Sequence, residues 1–139
     1  MHVYLYFIGK VRDRNAHAIA EEYVKRTGRF ASCEMREVDP RRLDLRVKHA
    51  GAMKVLLDPE GRRVDSKQFA EMVGKAEEAA RDLVFVIGGA DGLPAAWREQ
   101  ADVLLSMSAM TWPHELARAM LAEQIYRAFT MLRGHPYPR

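Results

Sequence analysis

The sequence predicts an α/β fold: a mostly parallel five- to six-stranded sheet flanked by helices. Three observations carry this. Short β-rich runs alternate with stretches of helical periodicity along the whole chain. The connections between successive strands are long enough for crossover helices, as parallel pairing requires. Leu83-Val84-Phe85-Val86-Ile87 is apolar at every position, as expected of a central strand covered on both faces.

Taken in order, residues 2–8 read as the first strand, ending at Gly9-Lys10. Asn15 can cap a helix to about Thr27, with Ile19, Ala20, Tyr23 and Val24 inward and Gly28 as terminator. Residues 33–38 alternate like a second strand, and the basic stretch 39–51 is a loop or one short helix. Residues 53–58 form a third strand closed by a turn at Pro59-Glu60-Gly61-Arg62. Asp65 or Ser66 caps a helix to about Arg81, spaced by Phe69, Met72, Val73, Ala76 and Ala80. After the central strand and Gly88-Gly89-Ala90-Asp91-Gly92, a short helix follows Pro94. Residues 102–107 are the fifth strand, and a long helix runs from near Pro113 to Arg133-Gly134.

The 139 residues are one domain's worth of chain, with 48% hydrophobic and 29% charged residues. No apolar run approaches a membrane span, and residues 1–8 lack the features of a signal peptide. A single cysteine, Cys33, cannot form an internal disulfide, so a cytoplasmic setting is expected. The net charge of +3 is compatible with a polyanionic partner without demanding one. Five scattered histidines offer no ligand spacing, so no metal site is expected.

Ligands of open α/β sheets bind beyond the carboxyl ends of the strands. Three such ends stand out: Leu57-Asp58, Gly88 to Gly92, and Met107 to Trp112. The glycine segment is not a dinucleotide fingerprint, because it reads G-G-x-x-G with no acidic residue placed for a ribose, and no phosphate-loop Gly-Lys-Ser/Thr occurs. Taken alone, the Gly-Gly pair is better read as a plain strand-to-helix turn. The stretch from Ser106 to His114 could wrap a flat ring, or could be a helix-entry loop capped by Ser and Thr. Ser108 lacks the G-x-S-x-G context of a nucleophile. The last helix carries more apolar residues than one face can hold, including Leu116, Met120, Ile125 and Phe129, which points to a homodimer.

In that order these pieces resemble the RlmH family, the SPOUT-superfamily methyltransferases that modify N3 of a pseudouridine in large-subunit ribosomal RNA. The matching residues are Ile8-Gly9-Lys10, Val55-Leu56-Leu57-Asp58 with Gly61, Phe85 to Gly92, Leu105 to Arg118, Glu123 to Ala128, and Pro136-Tyr137. The resemblance covers nearly the whole chain. It implies one methyltransferase domain over residues 1–139, with a trefoil knot in about 84–139 and S-adenosyl-L-methionine as methyl donor. It also implies a homodimer whose subunits share the active site, acting on ribosomal RNA or the assembled ribosome, away from membranes. Carried over by residue, the donor contacts fall on Leu57, Gly88, Met107, Ser108, Ala109, Met110, Thr111 and Trp112. Catalytic candidates are Arg127, Tyr137, Arg139 and His114, while Asp91, Glu115 and Glu123 are further candidates for proton removal. Arg118, Arg127 and Arg139 could meet phosphates. The chain departs from the family at its tail, Tyr137-Pro138-Arg139, where relatives carry a histidine, and in its short segment 39–51. The competing readings are another α/β nucleotide-binding enzyme and a non-catalytic ribosome-binding dimer.

Overall fold

The computed structural model describes residues 1–137. Its elements run β1 (His2–Phe7), α1 (Arg14–Thr27), β2 (Ser32–Glu37), α2 (Leu45–Lys48), β3 (Met53–Arg63), α3 (Ser66–Glu78), β4 (Leu83–Ile87), α4 (Ala95–Glu99), β5 (Val103–Ser106) and α5 (His114–Leu132). The strands form one five-stranded sheet, all parallel, in the order β2-β1-β4-β3-β5. The expected fold class is therefore present, with β4 at the centre and buried throughout.

Because side chains alternate across a strand, the sheet has two apolar faces. Val3, Leu5, Phe7, Val55, Phe85 and Leu105 pack under α1, α3 and α5, against residues such as Ala20, Val73 and Phe129. Tyr6, Leu56, Val84 and Val86 face the other way and are covered by Leu45 of α2 and Trp97 of α4. On that face the Tyr6 hydroxyl sits 2.7 Å from His49 Nε2, and burial lowers the His49 pKa from its ordinary value.

Some boundaries differ from expectation, each for a local reason. Asp13, not Asn15, caps α1: its backbone is extended and its carboxylate accepts the Ala16 N–H at 3.0 Å. Ile19 faces solvent, while Ala16, Ala20 and Thr27 are the buried residues and Tyr23 and Val24 pack against the core as expected. Asp65 caps α3 in a reciprocal box with Gln68. The helix stops at Glu78 because Ala80 adopts a left-handed φ of 54° and the Arg81 N–H turns back to the Ala76 carbonyl. β3 does not end at Pro59. After an irregularity between Leu57 and Arg62 it rejoins β5, pairing Arg62 with Leu105 and Arg63 with Ser106.

Candidate functional site

β4, β3 and β5 are neighbours in the sheet, so their carboxyl ends converge. Beyond them lies a cavity of about 210 Å³. β3 contributes Leu57 and Asp58, the turn after β4 contributes Gly88, Gly89 and Gly92, and the loop from Met107 to Trp112 closes the far side. His114 and Ala117 reach it from the start of α5.

The glycine turn is built from backbone. The Gly92 N–H donates to the Gly89 carbonyl at 3.0 Å, and Gly92 takes a φ of +74° that other residues rarely adopt. A Cβ at Gly88 would stand 2.6 Å from the Gly92 carbonyl carbon, and one at Gly89 would stand 2.8 Å from the Ile8 carbonyl oxygen. A bulky residue at 88 would thus break the turn before it reached any ligand. The opposite loop is held by its own serines: the Ser106 hydroxyl donates to the Ser108 carbonyl, and the Met110 N–H donates to Ser108 Oγ, both at 2.9 Å. Ser108 is a structural bridge in that loop. Asp58 is buried beneath the rim, where one oxygen takes Arg98 Nε at 2.7 Å and the other accepts the Glu60 N–H at 2.8 Å.

All eight residues expected around the methyl donor line this one cavity, and His114 lines it too. Arg127 and Tyr137 do not. They meet at Glu123, which takes Arg127 Nη2 at 2.8 Å and the Tyr137 hydroxyl as a donor. The Tyr137 ring packs edge-on against Tyr126 at 4.9 Å, with the Arg127 guanidinium 5.3 Å from its centroid. Burial, and next the Glu123 contact, raise the Tyr137 pKa, so the phenol is a neutral donor there. Glu123 borders a second, larger cavity of about 480 Å³, which shares Met107 and Trp112 with the first. Arg139 lies outside the described residues.

Two expected roles are corrected. Arg118 does not face solvent: it is 1% exposed and stacks on Phe7 at 3.8 Å, with Nε and Nη2 unpartnered, so no phosphate can reach it. Burial lowers its pKa, and Glu115 and Glu37 act in the opposite direction. Glu115 has no free oxygen for proton removal, because its two oxygens accept the N–H groups of Arg12 at 2.7 Å and Asp13 at 2.5 Å. Those bonds, the Arg12 one foremost, hold its carboxyl below the ordinary range. Asp91 is exposed on the glycine turn. Sequence reasoning missed the Glu115 clamp and gave Asp58 no partner. The signal for Arg118 was available, since 118 shares a helical stripe with 121, 122, 125 and 129. No group of side chains suited to a metal ion occurs among the described residues. Burial pushes the Cys33 thiol up to about 12, which leaves it a poor nucleophile.

Known proteins agree with this architecture. A family model described as "Predicted SPOUT methyltransferase" matches residues 1–138. A protein of Solibacter usitatus named ribosomal RNA large subunit methyltransferase H is 62% identical over 139 residues, covering 100% of both chains. Its namesake in Rhodospirillum centenum is 41% identical over 152 aligned positions, covering 100% of this chain and 99% of its own. Among solved structures, a probable methylase family protein from Haemophilus influenzae superposes with a TM-score of 0.63 at 12% identity, covering 99% of this chain and 70% of that one. The SpoU methyltransferase AviRb from Streptomyces viridochromogenes, solved with AdoMet, gives 0.56 at 18% identity, covering 89% and 56%. These two share the fold. With the family model matched from end to end and a relative 62% identical along its full length, the chain belongs to the SPOUT methyltransferase family.

Proposed function

We propose that this chain transfers a methyl group from S-adenosyl-L-methionine to N3 of a pseudouridine in large-subunit ribosomal RNA. The observation that carries the reading is the single cavity gathering Leu57, Gly88 and the whole Met107–Trp112 loop. Its residues suit the donor. The glycine turn offers bare backbone with no Cβ in the way, and Met107, Met110 and Trp112 supply apolar and aromatic surface for a flat ring. When bound, the sulfonium supplies an activated methyl group. The protein's task is then chiefly alignment of donor and acceptor nitrogen. The serine-held loop and the glycine turn give a preorganised wall for that purpose. His114 lines the same cavity from the start of α5.

The reading includes one methyltransferase domain over residues 1–139, knotted through about 84–139, acting as a homodimer in the cytoplasm. Leu116 and Met120, each 45% exposed, form an apolar stripe on α5, and Met120 also borders the larger cavity. A second copy is the occupant we assign to that stripe. Arg127 and Tyr137 are absent from their own subunit's donor cavity, which supports an active site that draws on both subunits. Arg139 keeps its proposed contact with RNA.

The test is direct. Calorimetry should show S-adenosyl-L-methionine binding without added metal, and labelled methyl should pass to large ribosomal subunits at one pseudouridine. A folded protein that binds no S-adenosyl-L-methionine would sink the reading.

A further inference from the structure

Lys10 and Arg12 in the loop between β1 and α1, with Arg14 at the first position of α1, are three cations at alternate positions, all exposed. Elsewhere most surface arginines stand in ion pairs, among them Arg26, Arg36, Arg41, Arg81, Arg98 and Arg133, while exposed Arg29, Arg62 and Arg63 have none among the described residues. Among the described residues no ion pair involves Lys10, Arg12 or Arg14. The only acid of the loop, Asp13, has its side chain turned to capping α1. Opposite charge is available in this chain, and this loop is left without it.

The loop is also fastened to the donor cavity at both ends. At its start the Ile8 N–H donates to the Ile87 carbonyl at 3.2 Å, and the Ile8 carbonyl presses against Gly89 of the cavity wall. At its end the amides of Arg12 and Asp13 are clamped by Glu115, the residue after the cavity-lining His114. The clamp consumes the backbone donors and leaves the side chains to meet a partner.

We propose that Lys10, Arg12 and Arg14 form a phosphate-binding edge that holds the RNA strand beside the methyl-donor cavity. This rests on the reading of the chain as an RNA methyltransferase. Neutralised phosphates release counterions, so such a contact is written in the salt dependence of binding.

The experiment compares wild type with the triple variant Lys10→Ala, Arg12→Ala, Arg14→Ala. Binding to large ribosomal subunits is measured across a salt series, separately from S-adenosyl-L-methionine affinity and methylation. The variant should keep donor affinity, lose about tenfold or more in ribosomal affinity, and lower the log–log salt slope by about 2. Arg12→Lys with Arg14→Lys should restore the slope. A variant that binds large subunits with wild-type affinity and slope overturns the proposal. If the triple variant shows this loss of affinity and slope while wild type methylates nothing, the loop assignment stands and the enzymatic reading falls.

Discussion

Two faces of α5 have similar apolar character and opposite fates. Leu121, Ile125 and Phe129 point into the sheet and are fully buried, packed where the helix runs between α1 and α3. Leu116 and Met120 lie one stripe away and stay half open to solvent. The sequence expectation treated the surplus apolarity as a single property and placed Ile125 and Phe129 at the dimer face. The structure separates them: both belong to the subunit's own core. A helix too apolar for one partner thus tells that a second surface exists, but only packing tells which residues line it.

The contrast can be broken from either side. Ile125→Glu places a carboxylate in the core with nothing to pair it, a cost of several kcal/mol or more against a total stability of about 5–15 kcal/mol. Circular dichroism should find this variant unfolded, and a folded Ile125→Glu monomer would restore the interface role first expected of that residue. Met120→Glu should instead leave the subunit folded by circular dichroism, with any fall in melting temperature limited to what association contributes. Light scattering should show it as a monomer where wild type is a dimer. A wild type that is itself monomeric at micromolar concentration ends the dimer reading.

A third probe lies at the helix's first turn, where Glu115 faces inward for a polar reason. Glu115→Gln keeps the shape and removes charge-assisted bonds to the Arg12 and Asp13 amides, costing about 1–3 kcal/mol. Because the Glu115 pKa is depressed in the folded state, its stabilisation is present above the ordinary carboxylate pKa of about 4.3. It is lost as pH falls through the lower folded value. The gap between wild type and variant, followed by denaturant titration, should therefore be full at neutral pH and close in acid. A gap that does not change with pH would mean that the charge contributes nothing.

Most of the sheet was legible because the strands are short apolar or alternating runs bounded by turn residues, and β4 reads as central from its composition alone. The order β2-β1-β4-β3-β5 was not, since it depends on which helices can cover which face. β3 was cut short because Pro59-Glu60-Gly61 has the composition of a turn. The strand resumes because Gly61 lets the Leu104 backbone come closer than any Cβ would allow, 2.6 Å from where one would stand. The cavity walls were legible as residues at strand ends, aided by the family resemblance. Glu115 was not, because polar residues in a helix's first turns ordinarily face water. Its inward turn follows from the amides of Arg12 and Asp13, far earlier in the chain, which bind both of its oxygens.

The glycine turn after β4 has a consequence for inhibition. Gly88 and Gly89 present peptide groups, and neither position has room for a Cβ, since Gly92 and Ile8 backbone atoms already occupy it. A compound resting on those peptide groups would touch atoms whose identity does not change with the codon. Escape by substitution would have to come from the opposite wall, at exposed Met110 or Thr111. Resistance would therefore be one-sided, and an inhibitor anchored on the glycine side and sparing in its contacts with Met110 would leave few routes out.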